Sequence, residues 1–360
     1  MRLVSRFPRA ADVVRVGVVL ALTVLACGQA LGRQRNDGLD RTVVRDAVES
    51  LATVVDREYF DAEVAARVAQ RLREKLAQGS YSGVQTLKSL ADMLSRDLFE
   101  VTNDKHLVVA IVQDRTSTPA STASDEDREV RARRANFGVQ GVDVLAGNVG
   151  YLNLTSFYRP EEARETISAA MRILRSADAL ILDMRENSGG SPDTVALLAS
   201  YLFDAPGLPL FDIVPRSGGG GRHYTTEEPS VPERNGIRPA YVLTADRTFS
   251  AGEGFAFLLQ ERGRAEVVGE RTAGAANPGR PYAVNAQLEV TVPNGQVRTA
   301  LTRRNWEGDG VMPNVTVPAA DALRTAHIRA LRELLKRVPS GSWQETLKRQ
   351  LDALEFSDRR

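Results

Sequence analysis

One cysteine, Cys27, serves all 360 residues, so no disulfide can form within a chain and the fold has to be held by an ordinary apolar core. Histidine is nearly as scarce. His106, His223 and His327 are scattered along the sequence, and with a single cysteine they form no metal-ligand spacing. No glycine-rich loop ends in the lysine that cradles a phosphate, so neither a nucleotide nor any other cofactor is implied. Charge of one sign is not in excess either: 47 Lys and Arg stand against 46 Asp and Glu, which gives no electrostatic footprint for nucleic acid. No internal repeat is visible, and no apolar run is long enough to cross a bilayer.

The longest apolar run, Val16 to Ala26, follows Arg2, Arg6, Arg9 and Arg15 and precedes the small residues Gly28 and Ala30. Basic residues first, a short apolar stretch next and small residues last are the order of a secretory signal, here residues 1–30. Val24-Leu25-Ala26-Cys27 resembles the lipobox of bacterial lipoproteins, in which the cysteine is lipidated after cleavage. Cleavage after Ala30, with Cys27 discarded, fits as well. The expected location is therefore the periplasm or cell envelope, with a lipid anchor if Cys27 is retained. The residues that remain are slightly acidic.

From Arg41 to Leu98 apolar residues recur at helical spacing: Val44, Ala47 and Leu51, then Val64, Val68, Leu72 and Leu76, then Leu87, Leu90, Met93 and Leu98. Turn-like breaks near Asp61 and at Gly79 to Gly83 divide this stretch into three helices, a small N-terminal domain over 38–104. Leu107 to Val112 is a β-branched run that reads as a buried strand, and Asp114 to Asn136 is polar enough to be a mobile linker, so 105–136 is a strand plus linker. Strands and helices then alternate over 137–320, an α/β pattern, and two amphipathic helices close the chain over 321–360. Ser217 to Gly221 reads as a flexible surface loop.

Two segments of the α/β part carry chemistry. Ser250, in Thr248-Phe249-Ser250-Ala251-Gly252-Glu253, lies between a strand and a helix starting at Ala251. Unpaired N–H groups of a first helical turn can stabilise an oxyanion, and the Ala251 N–H would be the nearest donor to a nucleophilic Ser250. The same spacing suits an N-cap serine with Glu253 as its capping-box partner. Asp183 to Gly190 also runs from a strand into a helix, and Gly189 or Gly190 could present a second N–H unobstructed, or be a plain turn.

Asp183 to Gly190, Thr248 to Glu253, Val268 to Gly274 and Asn305 to Val311, in that order, closely resemble the motifs of the tail-specific (C-terminal processing) serine peptidase family. Thr102 to Leu107, after a helical domain, is similar to the branch related to interphotoreceptor retinoid-binding protein and, more distantly, tricorn protease. The resemblance spans about 41–330. It implies a ClpP/crotonase-like catalytic core with an N-terminal helical domain, a peptide or protein substrate and Ser250 as nucleophile. The lysine that serves as base in the processing branch is replaced by Ala275, so the base is expected to be His106, a neutral imidazole at pH 7. Glu307 corresponds to the acidic member that would orient His106, and its other reading is a surface acid in a Trp306 turn. Lys105 stands where the tricorn arrangement has a serine linking histidine to glutamate, and so could interrupt that link or pair with Glu307. Asn314 replaces the usual aspartate. The gap between the strand ending near Val112 and the one beginning near Val139 is too short for a PDZ domain. A retinoid-binding relative makes carriage of apolar small molecules the alternative function, and a catalytically inactive binding relative a third; the oligomeric state is left open.

Overall fold

The computed structural model describes residues 39–112, 125–216, 219–228 and 238–356. The signal segment with Cys27, residues 113–124 of the linker and 217–218 of the glycine-rich loop lie outside the described residues.

The helical spacing of the N-terminal part produces α1 (Arg41–Glu58), α2 (Ala62–Ala77) and α3 (Leu87–Thr102). Each starts on a side chain that accepts an orphan N–H of the first turn: Asp40 from Thr42, Asp61 from Glu63 and Val64, and Thr86 from Ser89. α3 ends on Asn103, in the left-handed region at φ 53°, a conformation asparagine tolerates better than most residues. That turn throws Asp104 and His106 back toward the rest of the molecule before β1 (Val108–Ile111) begins.

β1 is not buried on both faces as its composition suggested; of its four residues only Val109 is buried. The reason is its partner. β1 is the edge of a three-stranded antiparallel sheet, in the order β1-β10-β9, built with β9 (Gly279–Ala283) and β10 (Leu288–Pro293), which come from far along the chain. Leu288, Val290 and Val292 alternate inward and share one apolar core with Leu51, Leu72, Leu94, Leu98 and Leu107. The N-terminal lobe is thus completed by a hairpin from within the α/β part. Phe60 N–H to Pro293 O (3.0 Å) and Ser50 Oγ to Val284 O (2.6 Å) fasten the two.

The expected mobile linker is partly helical. Asp125–Arg134 form α4, in which Glu129 and Arg133 pair one turn apart, followed by a 3₁₀ turn at Asn136–Gly138. The α/β part is a six-stranded sheet in the order β12-β8-β7-β4-β3-β2, from β2 (Val139–Leu145), β3 (Val149–Leu154), β4 (Ala179–Asp183), β7 (Ala240–Thr244), β8 (Glu266–Gly269) and β12 (Val315–Thr316). All neighbours run parallel except β2 with β3. Period-two alternation splits its two faces. Leu180, Leu182 and Val242 meet α5 (Pro160–Ile173), α6 (Pro192–Ser200) and α7 (Ala251–Glu261), whereas Ala179, Ile181 and Leu243 meet α8 (Ala319–Arg337), with Leu347 of α9 (Ser342–Phe356) in the same cluster. Among the described residues no helix is long and apolar enough to cross a membrane.

A second small sheet, β11 (Gly295–Thr299), β5 (Pro209–Pro215) and β6 (Arg222–Thr225), lies beside α7. His223 is on β6, facing Asp212 at 2.7 Å. The carboxyl ends of β4 and β7 adjoin, the position where parallel α/β sheets bind ligands.

Candidate active site

Ser250 follows a five-residue turn after β7. Thr248 fixes that turn, its hydroxyl donating to Met184 O (2.8 Å) and accepting from the Ala245 N–H (2.9 Å), and the Phe249 N–H reaches Asn187 O at 2.9 Å. The serine is left at φ 52°, ψ −117°, an uncommon conformation for a residue with a Cβ, as the residue just before α7.

Glu253 holds it there. This carboxylate is fully buried, yet it accepts the Ser250 N–H (2.8 Å), the Thr272 hydroxyl (2.6 Å) and the N–H groups of Gly274 (2.5 Å) and Ala275 (3.0 Å). No cation is among these partners. Burial raises its proton affinity, and the four donors oppose that rise. The Ser250 N–H is therefore committed to Glu253, the glutamate half of a capping box, while its hydroxyl is turned elsewhere.

That hydroxyl meets His106. Nε2 lies 3.1 Å from Ser250 Oγ, and the imidazole packs on the Phe249 ring at 4.9 Å between centroids. Burial pushes the imidazole down to about 4, so it is neutral at pH 7, and with its proton on Nδ1 the Nε2 lone pair faces the serine hydroxyl. The two other histidines lie apart from this group: His223 bonds Asp212, and His327 Nε2 bonds Ala146 O at 2.7 Å.

Gly189 and Gly190 close the other side. A Cβ on Gly189 (φ 96°) would sit 2.7 Å from the Ser250 Cβ, and one on Gly190 (φ 132°) would sit 2.1 Å from Phe157 O. Only glycine fits at either place. Gly189 has already used its N–H on Asn187 Oδ1 (2.9 Å), whereas the N–H groups of Gly190 and Ala251 have no acceptor among the described residues. The pair of free donors beside Ser250 is accordingly Gly190 with Ala251. Asn187, fully buried, also donates to Leu154 O (2.8 Å) and so ties the glycine loop to β3.

Glu307 lies near the histidine but does not bond it. Its Oε2 accepts the N–H groups of Ala276 (2.6 Å) and Asn277 (3.0 Å), while its Oε1, like His106 Nδ1, is buried without a partner. No direct Glu307–His106 hydrogen bond is formed. Lys105 is not its partner either, because its ammonium donates to Ala273 O. A residue that sequence reasoning missed completes the group. Asp104, 1 % exposed, accepts the His106 backbone N–H at 2.9 Å and the Tyr59 hydroxyl at 3.2 Å, and polar atoms of Asp104, His106 and Glu307 lie within 4.8 Å of one another. The group is thus two carboxyls and one imidazole, with His106 Nδ1 and Glu307 Oε1 left without a hydrogen-bond partner. The motif quoted from the sequence contained Asp104, but nothing in the sequence showed that its side chain turns back onto the histidine backbone.

Ala275, at the family's lysine position, is fully buried, with its N–H on Glu253 and its carbonyl accepting from Trp306 Nε1 (2.9 Å). Asn314 Oδ1 accepts the Val267 N–H (2.8 Å) and Gln260 Nε2 (3.0 Å), a structural task remote from Ser250. Beside Ser250 and Ala251 opens an apolar pocket lined by Val195, Phe211, Ile213, Leu258, Val297 and Trp306.

Comparison with known proteins bears on what this constellation belongs to. Residues 148–317 match the model of peptidase family S41, and residues 40–136 match that of the N-terminal domain of peptidase S41 in eukaryotic IRBP, together about three-quarters of the chain. The chain belongs to peptidase family S41. It is 25% identical over 221 residues to the carboxy-terminal processing protease CtpB of Bacillus subtilis, covering 57% of this chain and 42% of that protein. It is also 25% identical over 244 residues to the chloroplastic carboxyl-terminal-processing peptidase 1 of Arabidopsis thaliana, covering 65% and 48%. The chain thus spans about half the length, or less, of the curated relatives it matches. Among solved structures, a lipoprotein from Streptococcus agalactiae (TM-score 0.51, 15% identity, 81% of this chain and 96% of that one) and mature CPAF complexed with lactacystin (TM-score 0.51, 14% identity, 81% and 98%) share its fold.

The buried carboxylate at the heart of the S41 core yields a prediction. All four groups pointed at Glu253 are donors, so Glu253→Gln must turn an amide NH₂ toward N–H groups. We expect it to lower stability by about 1–3 kcal/mol, read as a fall in the denaturant midpoint. An unchanged midpoint would contradict the donor assignment.

Proposed function

We propose that this S41 family member is an exported serine peptidase in which Ser250 is the nucleophile and His106 the general base. The observation that carries the reading is the 3.1 Å approach of a half-buried, neutral imidazole to the hydroxyl of a serine whose own N–H is held elsewhere. In the proposed reaction Ser250 Oγ attacks the peptide carbonyl carbon while its proton passes to His106 Nε2. The oxyanion accepts the N–H groups of Gly190 and Ala251, with Gly189 as the close-packed spacer against Ser250. The carbon–nitrogen bond then breaks, and the imidazolium gives its proton to the leaving amine. Water, deprotonated by the same nitrogen, releases the acyl group. Glu307 sits close enough to stabilise the imidazolium between these steps, and assigning it that role completes the triad.

A fluorophosphonate probe tests the nucleophile and base. Wild type should be labelled on Ser250, Ser250→Ala should not be labelled, and His106→Ala should react at least about a hundredfold more slowly, in line with the usual contribution of a general base. Absence of labelling in correctly folded wild type would end the peptidase reading and favour the carrier.

The pocket next to Ser250 is walled by aliphatic and aromatic side chains, so the residue on the acyl side of the scissile bond should be apolar. In a peptide library, leucine, valine or phenylalanine there should be preferred over aspartate or lysine by roughly a hundredfold or more in kcat/KM, since a charge in such a wall has no partner. A preference for charged residues would refute the assignment.

Export rests on residues 1–30. Mass spectrometry of chain recovered from the cell envelope should find a new N-terminus at Cys27 bearing lipid, or just after Ala30. Recovery of chain beginning at Met1 from the cytoplasmic fraction alone would remove the proposal.

A further inference from the structure

We propose that Asp104 is a positioning residue for the proposed base, its buried carboxylate fixing His106 through the backbone while Tyr59 fixes that carboxylate from α1. The inference rests on the reading of Ser250 and His106 given above.

His106 stands on a short connection, with one residue between it and β1. What fixes its ring is therefore the connection itself. Asp104 Oδ1 accepts the His106 N–H at 2.9 Å, and Leu107 N–H closes the same turn on Asp104 O at 3.4 Å. Oδ2 accepts the hydroxyl of Tyr59, which is itself 3 % exposed at the end of α1. Burial raises the proton affinity of Asp104, and the bonds from the His106 N–H, the Tyr59 hydroxyl and the Asn277 side chain oppose that rise. The chain from α1 through Tyr59, Asp104 and His106 to Ser250 thus crosses from the N-terminal lobe to the α/β part.

Asp104 also bears on Glu307. The titratable groups that act on this pair are Tyr59 at the end of α1, His106 from the α3–β1 turn and Glu253 from α7. Lys105, between Asp104 and His106 in sequence, donates its ammonium to Ala273 O. Two carboxylates so close in a buried place resist ionising together. Burial first and the Asp104 charge second push Glu307 up to about 7. If Glu307 must be ionised to support the imidazolium, reactivity falls as pH drops through that value. Removing the Asp104 charge should let Glu307 ionise at lower pH and move this acidic limb down.

The test uses the full chain and the second-order rate of fluorophosphonate labelling between about pH 5 and 9, with thermal unfolding of each variant. Asp104→Ala removes the anchor and should slow labelling at pH 8 by about 10–100-fold, the scale of a misplaced reacting group. Asp104→Asn still accepts the His106 N–H, so it should recover to within a few-fold of wild type while its acidic limb lies at lower pH. Tyr59→Phe, which keeps the ring in the core, should slow labelling a few-fold without moving the limb. Wild-type rates in Asp104→Ala and Tyr59→Phe overturn the proposal. So do equally slow alanine and asparagine variants with the limb in place, because a loss of packing alone would lower the labelled fraction and leave the pH dependence untouched. A wild type that does not label overturns the hydrolase reading and this one with it, whereas a labelled wild type with an indifferent Asp104 overturns this one alone.

Discussion

Ser250 is held in a backbone conformation that costs on the order of 1–3 kcal/mol for a residue with a side chain, and the surrounding structure is organised to keep it there. The restraint is electrostatic. Glu253, one turn into α7, carries a buried charge whose four hydrogen-bond partners come from Ser250, Thr272, Gly274 and Ala275. Those donors belong to two separate loops, so satisfying one carboxylate draws the Ser250 turn and the segment after β8 together. A place in the helix cap and the proposed role as nucleophile do not exclude each other at Ser250. Glutamate performs the capping through the serine's N–H, and the hydroxyl is thereby free to face His106.

The second half of the proposed dyad is imported. His106 belongs to the N-terminal lobe, and its place opposite Ser250 depends on β1 pairing with β10, a strand that the chain makes nearly two hundred residues later. Leu51, Leu72, Leu94, Leu98 and Leu107 of that lobe and Leu288, Val290 and Val292 of the hairpin lie in one core, so the lobe cannot swing away without exposing it. The apolar pocket is similarly composite, with Phe211 and Val297 coming from the small sheet and Leu258 from α7. Substrate binding and catalysis, as proposed, therefore share the boundary between independently folded-looking segments of sequence.

Much of this was legible in the sequence, and the failures have physical causes. Period-3.6 apolar spacing located α1 to α3, and strands flanked by glycine motifs located β4, β7 and the turns that bear Gly189 and Ser250. The β9–β10 hairpin was missed because its strands are short and its partner is distant in sequence. α4 was taken for a mobile linker because its residues are almost wholly charged, yet charges spaced one turn apart support a helix where apolar residues do not. A pairing of Lys105 with Glu307 was one of two alternatives its motif position left open, but a lysine reaches whichever carbonyl its stem passes, here Ala273. The part played by Asp104 depends on a side chain folding back on its own neighbour's backbone, and residue spacing does not encode that.

The absence of a lysine base follows from the same electrostatics. Position 275 is sealed, its N–H spent on Glu253 and its carbonyl on the Trp306 indole, so a lysine there would have to place an ammonium in a space now filled. A neutral histidine asks for no counter-ion in the resting site, which matters where burial already depresses its proton affinity to about 4. Attack by Ser250 would then create two charges at once, an oxyanion and an imidazolium. Free N–H groups of Gly190 and Ala251 wait on one side, and the carboxyl groups of Glu307 and Asp104 on the other. A base that is hard to protonate at rest becomes effective when the charge it acquires is matched in the same step, and the fixed positions of both sets of groups mean that little reorganisation is needed to match it.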